Sequence, residues 1–485
     1  MISLQNKMTR ILLSDGRALV ALIVLGTLIR LYGMTRPFYS DGLIWNINIE
    51  TLRYHFWESI FYAHAQPPLH NAIVGLLLKF SDPPFDLSFL LLSLLNKICS
   101  LLTIVISYKT SRSLGVSINK AFCLSLLICF LPGFWMADRW MTSESIQFLL
   151  LALSLYSSRY LTKSYTHQIV FALSVALLVW LKSFFHIIAW LVPLYGLLFI
   201  VVRAKNYRFI LVGLLLATSA LYLKNFLTFD TLSTSSWFGY NISKTYSHLH
   251  NDKIRELQKQ NLISMVPSTS KHIFSVQEHI DYFGSLPESG IPVLDLVSKT
   301  DAHPVIKDNW NNLIFFKASK ELQENTIVLL LNFPFSYLET VVNNIYIYFS
   351  FEPFRFISEY VQWSIWQGRI IQNIVSIFVY FIVPTFLLLT YIYLIIYLFR
   401  RIFSGRKARD EKIGFFVYGL FVLVYFPLIS CLLECGEQYR FRGYIDPLFL
   451  ISYSVMIKDN MRMHRDVMFA IPFFMYGFMF LFLFF

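Results

Sequence analysis

Residues 36–70 read RPFYSDGLIWNINIETLRYHFWESIFYAHAQPPLH, and the rest of the predicted fold is arranged around them. They follow a first apolar segment and carry an acid, Asp41, near their start. Aromatic residues are frequent in the stretch, charges are few, and it is too polar to span a bilayer, which favours short helices at the membrane surface. Because such helices would hold Asp41 close to lipid head groups, we expect this stretch to form the floor of an active site.

The composition is that of a membrane protein. Of 485 residues, 56% are hydrophobic, 18% aromatic and only 14% charged, which is far more apolar than a soluble chain of this length requires. The net charge of +12 does not indicate nucleic-acid binding, because the basic residues lie in short loops between apolar segments. The five cysteines show no metal-ligand spacing, so neither a zinc site nor a disulfide framework is predicted.

Apolar segments long enough to span a bilayer recur along the chain. They lie near residues 17–34, 87–107, 121–136, 144–161, 167–182, 184–202, 208–226, 370–399, 413–433, 443–458 and 466–485. The sequence therefore predicts an all-α polytopic membrane protein with about eleven transmembrane helices. Segments 68–80 and 326–350 are weaker candidates, because the first is short and opens with two prolines and the second is interrupted by polar residues and a proline.

The basic loops give the orientation, because Lys and Arg are enriched on the cytoplasmic side. These residues cluster near positions 109–120, 159–163, 203–208, 400–412 and 458–465. With a cytoplasmic N-terminus, all five clusters are cytoplasmic only if neither weak segment crosses, so we place both weak segments at the outer surface. Asp41, Glu144, Lys182 and residues 434–442 then share the extracytoplasmic side.

Three regions follow from this topology. Residues 1–226 form an N-terminal transmembrane module whose first outer loop, 35–86, is the predicted catalytic loop. Residues 227–369 form an extracytoplasmic region with interfacial helices, and residues 370–485 form the C-terminal transmembrane helices.

Two carboxylates at the outer ends of predicted helices are candidate catalytic groups. Asp41 directly precedes Gly42, so it is either a turn former or a general base acting on a hydroxyl. Glu144 follows Ser143 at the start of a helix, where Ser143 is a natural cap and an acid suits the helix dipole. Both the structural and the functional interpretation remain open for each acid at this stage.

Charged residues near Glu144 form a second candidate group. Asp138 and Arg139 stand on the same short outer loop and are either a local ion pair or, together with Glu144, ligands for an acceptor or a divalent metal. No ligand spacing requires a metal.

Basic residues on the outer side are candidate phosphate ligands. Lys182 lies in a tight turn between two apolar segments, as either a snorkelling lysine or a point charge for a lipid phosphate. Arg440 and Arg442 are two residues apart among aromatics, either in an interfacial belt or as bidentate phosphate ligands, and Glu437 is placed to hold one of them. Because the tract that carries Arg440 and Arg442 would lie outside, where positive charge is disfavoured, we favour the functional interpretation for these two arginines.

The order of these motifs resembles a known family. The motifs are Asp41 after the first helix, Gln66-Pro67-Pro68-Leu69-His70-Asn71, Ser143-Glu144-Ser145, and Tyr439-Arg440-Phe441-Arg442 followed by Asp446-Pro447. Together they resemble the GT-C superfamily of polytopic glycosyltransferases, in particular the dolichyl-phosphate-mannose protein mannosyltransferase-like group and bacterial lipid A aminoarabinose transferases. The similarity covers roughly residues 15–230 and 370–460.

The resemblance implies the chemistry of the site. In that family an acid of the first outer loop acts on the acceptor hydroxyl, and the sugar arrives on a polyprenyl phosphate. By this resemblance Asp41 is the base, Glu144 a supporting carboxylate, and Lys182 with Arg440 or Arg442 contacts phosphate. Many members have two adjacent acids where this chain has Asp41-Gly42, which leaves the lipid, glycan or protein acceptor and the metal requirement open.

Two hypotheses of function are therefore compared. The first is an inverting transferase that uses a lipid-linked sugar donor. The second is a transporter or flippase for a lipid-linked glycan, which should place ionisable residues in mid-membrane or show paired half-repeats. The sequence shows neither feature. A bacterial inner membrane and an ER membrane both fit the chain, and we favour the bacterial one.

Overall fold

The computed structural model describes residues 14–34, 47–80, 82, 86–131, 133–134, 137, 142–202, 207–246, 249, 251–264, 276–297, 309–350, 383–403, 412–434 and 438–460. Every regular element in this part of the chain is a helix, which confirms the predicted all-α class for it. The α-helices are α1 (Asp15–Met34), α2 (Ile49–Tyr54), α3 (Phe56–Phe61), α4 (Leu69–Leu77), α5 (Asp86–Ser113), α6 (Ile118–Cys129), α7 (Glu144–Ser158), α8 (Tyr165–Leu181), α9 (Val192–Val201), α10 (Tyr207–Phe229), α11 (Phe238–Ser243), α12 (Asn251–Lys259), α13 (Val276–Phe283), α14 (Pro292–Asp295), α15 (Leu313–Asn332), α16 (Pro334–Phe349), α17 (Val383–Phe403), α18 (Ile413–Leu433) and α19 (Gln438–Asn460). A π-helical turn, Ile187–Leu191, leads into α9.

Several described helices have the length and composition of membrane spans. Four of them, α5, α10, α17 and α18, are long and apolar enough to cross, and the bent pair α15 and α16 brings the total to as many as five. Helices α4, α6 and α8 are apolar but shorter, as is the π-helical turn continued by α9. The membrane character of the chain is thus supported, whereas the count of eleven spans is not confirmed. The predicted span 466–485 lies outside the described residues.

The weak segment 326–350 does not form one straight helix. Helix α15 ends at Asn332, and α16 begins at Pro334 with an angle of 105° between the two axes. Proline has no backbone N–H and is favoured in the first turn of a helix, so it starts α16 without extending α15. The pair forms either a broken span or a re-entrant loop.

A buried histidine joins the first outer loop to the region before α15. The ring of His64 contacts the Asn311 carbonyl oxygen through Nε2 at 2.8 Å and Ser236 Oγ through Nδ1 at 2.9 Å. The Asn311 side chain accepts hydrogen bonds from the backbone N–H groups of His64 and Ala65, both at 2.9 Å. Burial lowers the pKa of His64 to about 3, so this ring is neutral at physiological pH and acts as a structural tie.

Helix packing brings distant charged residues together. Helix α7 packs against α5 and α8, and α19 packs against α7, α16 and α18. Phe148 of α7 makes an edge-to-face contact with Tyr444 of α19, with ring centroids 5.8 Å apart. The N-terminal ends of α7 and α19 therefore lie side by side.

Candidate functional site

The site is built where three helix ends meet. Glu144 is the first residue of α7, Lys182 directly follows α8, and Arg440 lies in the first turn of α19. Oε1 of Glu144 accepts hydrogen bonds from Lys182 Nζ at 3.1 Å, from Arg440 Nη2, and from the Tyr444 hydroxyl at 3.1 Å. The two predicted phosphate ligands, Lys182 and Arg440, thus both donate to one oxygen atom of the predicted carboxylate, Glu144.

The burial of this cluster is uneven. The Glu144 side chain is 4% exposed, whereas Lys182 is 24% exposed and Arg440 29%. The carboxylate lies behind the two cationic groups, so a ligand that enters from the cavity meets the cations first. Among the described residues that meet here, two cationic side chains, Lys182 and Arg440, contact one carboxylate, Glu144.

The local geometry distinguishes between the two interpretations of Glu144. Ser143 has αR backbone angles and makes no side-chain capping bond to the described residues. The expected Ser143 cap is therefore absent from this part of the structure, although an acid in the first turn still suits the helix dipole. Glu144 instead holds cations from two other helices.

Arg440 and Arg442 have different surroundings. The sequence places both in an outer loop before residue 443, but α19 begins at Gln438, so both are helical. Positions two apart on a helix are about 200° apart around its axis, so the two side chains diverge. The Arg442 guanidinium donates from Nη1 to the Ser350 carbonyl at 3.0 Å and is only 5% exposed.

Arg442 thus serves the fold. Its Nη1 also approaches the carbonyl oxygens of Tyr348 and Phe349, at 3.3 and 3.4 Å. These three carbonyls end α16, where a cation offsets the negative end of the helix dipole. Arg442 is absent from the described wall of the cavity, and of the two arginines only Arg440 lines it.

A cavity of about 540 Å³ opens beside the cluster. Its polar wall combines the first outer loop and helix α4 with the beginning of α7. The polar residues on this side are Gln66, His70, Asn71, Thr142, Ser143 and Gln147. Ser183 Oγ donates to Gln66 Oε1 at 3.3 Å and so fastens the first loop to the turn that carries Lys182.

Another part of the cavity wall is aromatic and apolar. The rings of Phe184 and Phe441 stack at 4.7 Å between centroids, with an interplanar angle of 18°. Ile188, Ala189 and Ile429 continue this wall, and Ile188 is 69% exposed. A cavity with this division can hold a ligand that is charged at one end and hydrocarbon at the other.

Residues between α10 and α15, together with Glu434, also reach the cavity. Trp237 and Trp310 meet edge to face at 4.8 Å, and Lys244 Nζ lies 3.8 Å from Glu434 Oε1. Sequence reasoning did not single out these four residues, because they are scattered along the chain and no local pattern links them. Gln147 was missed too, although its position three residues after Glu144 on one helix face was a usable signal.

Four predicted site residues lie outside the described residues: Asp41, Asp138, Arg139 and Glu437. The possible divalent metal is likewise not located. Within the described ranges, no group of three or more His, Cys, Asp or Glu side chains is arranged to hold a metal ion.

No protein-family model, curated protein or solved structure matches this chain.

Proposed function

We propose that the protein is a membrane glycosyltransferase that moves a sugar from a polyprenyl-phosphate donor to an acceptor hydroxyl. The observation that carries the proposal is the convergence of Lys182 and Arg440 on buried Glu144 at the wall of a half-apolar cavity. The cations suit the phosphate of the donor, and the apolar wall suits its hydrocarbon chain.

The two cationic side chains favour an anionic ligand, such as a phosphate, over an uncharged one. Arg presents a planar donor fork and Lys a point charge, and both bind phosphate oxygens well. Glu144 keeps the two cationic groups in place by binding them at its Oε1 atom. We assign Glu144 a positioning role, which is narrower than the catalytic role expected from the sequence.

The apolar wall favours a lipid carrier. Ile188 lines the cavity and is largely exposed, so the wall continues to the outer surface of the helix bundle. A prenyl chain that leaves the cavity beside Ile188 would remain among apolar groups. A soluble nucleotide sugar would gain nothing from this exit.

The proposed reaction is a single displacement with inversion. The acceptor oxygen attacks the anomeric carbon, the bond from that carbon to the phosphate oxygen breaks, and the hydroxyl proton passes to the Asp41 carboxylate. The bonding electron pair leaves with the lipid phosphate, whose charge Lys182 and Arg440 stabilise. The acceptor is a hydroxyl group of a lipid, a glycan or a protein.

The proposal includes about eleven spans with the site on the extracytoplasmic face of a bacterial inner membrane. We expect single cysteines introduced at positions 112, 205 and 407 to be labelled from the cytoplasm, and those at positions 41, 260 and 438 from the other side. A membrane-impermeant thiol reagent on intact and opened cells measures this, in a background without the native cysteines. Labelling of positions 41 and 112 from the same side would contradict the topology.

The test of function uses purified protein in lipid nanodiscs. We expect it to bind undecaprenyl phosphate, and Lys182→Ala to weaken this binding about 10- to 150-fold, since a charge-assisted contact contributes about 1.5 to 3 kcal/mol. Lys224→Ala is the matched control, because Lys224 Nζ donates to the carbonyls of Phe61 and Ala63, both at 2.8 Å, away from the cavity wall.

Two results would count against this function. If the parental protein does not bind undecaprenyl phosphate, the assignment of the cavity fails. If it binds the lipid and moves a sugar-bearing form across the bilayer without transferring the sugar, the transporter hypothesis replaces the enzyme.

A further inference from the structure

A buried glutamine in the cavity wall, Gln147, has no side-chain hydrogen bond to the part of the chain that the structure describes. Gln147 lies in α7 and its side chain is buried, with 1% of the residue exposed. Neither Oε1 nor Nε2 has a hydrogen-bond partner among the described residues, although Gln147 lines the cavity. Asn71 is a similar group in the cavity lining, because it is 2% exposed and its Oδ1 also has no partner in the described part of the chain.

Such groups call for a physical explanation. A buried amide that makes no hydrogen bond is costly, and buried polar atoms are nearly always satisfied. Gln147 is a poor choice for packing alone, because methionine fills a similar volume without polar atoms. A ligand that supplies both a donor and an acceptor would satisfy the two ends of the amide.

The position of Gln147 indicates which part of the donor its side chain would contact. It follows Glu144 by three residues, so the two side chains lie on the same face of α7, one turn apart. The amide is thus adjacent to the cluster that holds the proposed phosphate. In a sugar phosphate, the groups nearest to the phosphate are the ring hydroxyls, each of which both donates and accepts.

We infer that Gln147 and Asn71, which both line the cavity, bind hydroxyl groups of the sugar carried by the lipid phosphate. This inference rests on the proposed function and adds the subsite that recognises the transferred group. Gln147 Nε2 donates to one hydroxyl oxygen and Oε1 accepts from a hydroxyl, while Asn71 Oδ1 accepts from another.

The decisive variant is Gln147→Met in nanodiscs, with undecaprenyl phosphate and undecaprenyl-phosphate glucose as paired probes. We expect affinity for the sugar-bearing lipid to fall about 5- to 150-fold, as for two lost hydrogen bonds. Affinity for the bare lipid should stay unchanged. The melting temperature of the unliganded protein should stay equal or rise, because an unsatisfied amide is removed from the interior.

Gln168→Met is the matched control, a buried glutamine of α8 away from the cavity wall. Gln168 Nε2 donates to the Leu161 carbonyl at 2.6 Å, so its loss should lower the melting temperature and leave both affinities unchanged. Asn71→Ala gives a second variant should Gln147→Met fail to fold. Its affinity for the sugar-bearing lipid should fall about 2- to 12-fold, with binding of the bare lipid kept.

The outcomes separate this inference from the proposed function. If the parental protein binds both lipids, and Gln147→Met and Asn71→Ala bind each lipid with parental affinity, the sugar subsite is overturned and the phosphate site stands. Equal losses for both lipids would also overturn it, because Gln147 would then act on the phosphate or on the fold. If the parental protein binds neither lipid, both proposals fail.

Discussion

Replacing Asp41 with asparagine is expected to lower sugar transfer by on the order of 100- to 10,000-fold, the largest effect anticipated for a single change in this protein. Asparagine keeps the shape and one acceptor oxygen of the side chain but cannot take the proton of the acceptor hydroxyl. As a turn residue beside Gly42 it is nearly equivalent to aspartate, so expression and melting temperature should be kept.

Asp230→Asn is the matched control for this experiment. Asp230 directly follows α10 and has a positive φ of 52°, a conformation that both Asp and Asn adopt readily. The control should therefore transfer sugar at the parental rate. A well-folded Asp41→Asn protein with parental turnover, measured by release of undecaprenyl phosphate from the sugar-bearing lipid, would reduce Asp41 to a turn former.

Replacing Arg440 with glutamine is expected to weaken binding of undecaprenyl phosphate about 10- to 150-fold. The change removes one of the two cations that bind Glu144 and leaves Glu144 paired with Lys182 and hydrogen-bonded to Tyr444. Because a buried carboxylate loses part of its compensation, the melting temperature should fall as well. A second variant is therefore needed to show that the loss of affinity does not result from the loss of stability.

The double variant Glu144→Gln with Arg440→Gln separates them. Removing the buried charge together with its partner should recover most of the lost stability, because no uncompensated carboxylate is left. Lipid-phosphate affinity should stay low, since the phosphate has still lost a cation. Recovery of both quantities in the double variant would mean that Arg440 acts only through the fold.

Arg442→Gln is the natural comparison on the same helix. Arg442 is bound to the carbonyls at the end of α16, so its loss should lower the melting temperature with undecaprenyl-phosphate affinity kept. A loss of affinity comparable to that of Arg440→Gln, at full stability, would place Arg442 in the site after all.

The sequence by itself determined the helical class, the membrane character and the chemical types at the site. Hydrophobic runs are local features, so the span predicted at 413–433 coincides with α18, and that at 208–226 lies within α10. Charged residues are rare in the middle of a membrane span, so they mark the ends of apolar segments and can be recognised from the sequence. Glu144, Lys182 and Arg440 were all found in this way.

Only the tertiary structure decided which of these residues act together. Lys182 and Arg440 are 38 and 296 positions from Glu144 in the sequence. Contacts between residues so far apart depend on how α7, α8 and α19 pack. The start of α19 at Gln438 decided between the two arginines, because a helix turns Arg440 toward the cavity and Arg442 toward α16. The sequence predicted a loop at these positions. Without a helix, the angle between the two side chains around a helix axis could not be used to distinguish Arg440 from Arg442.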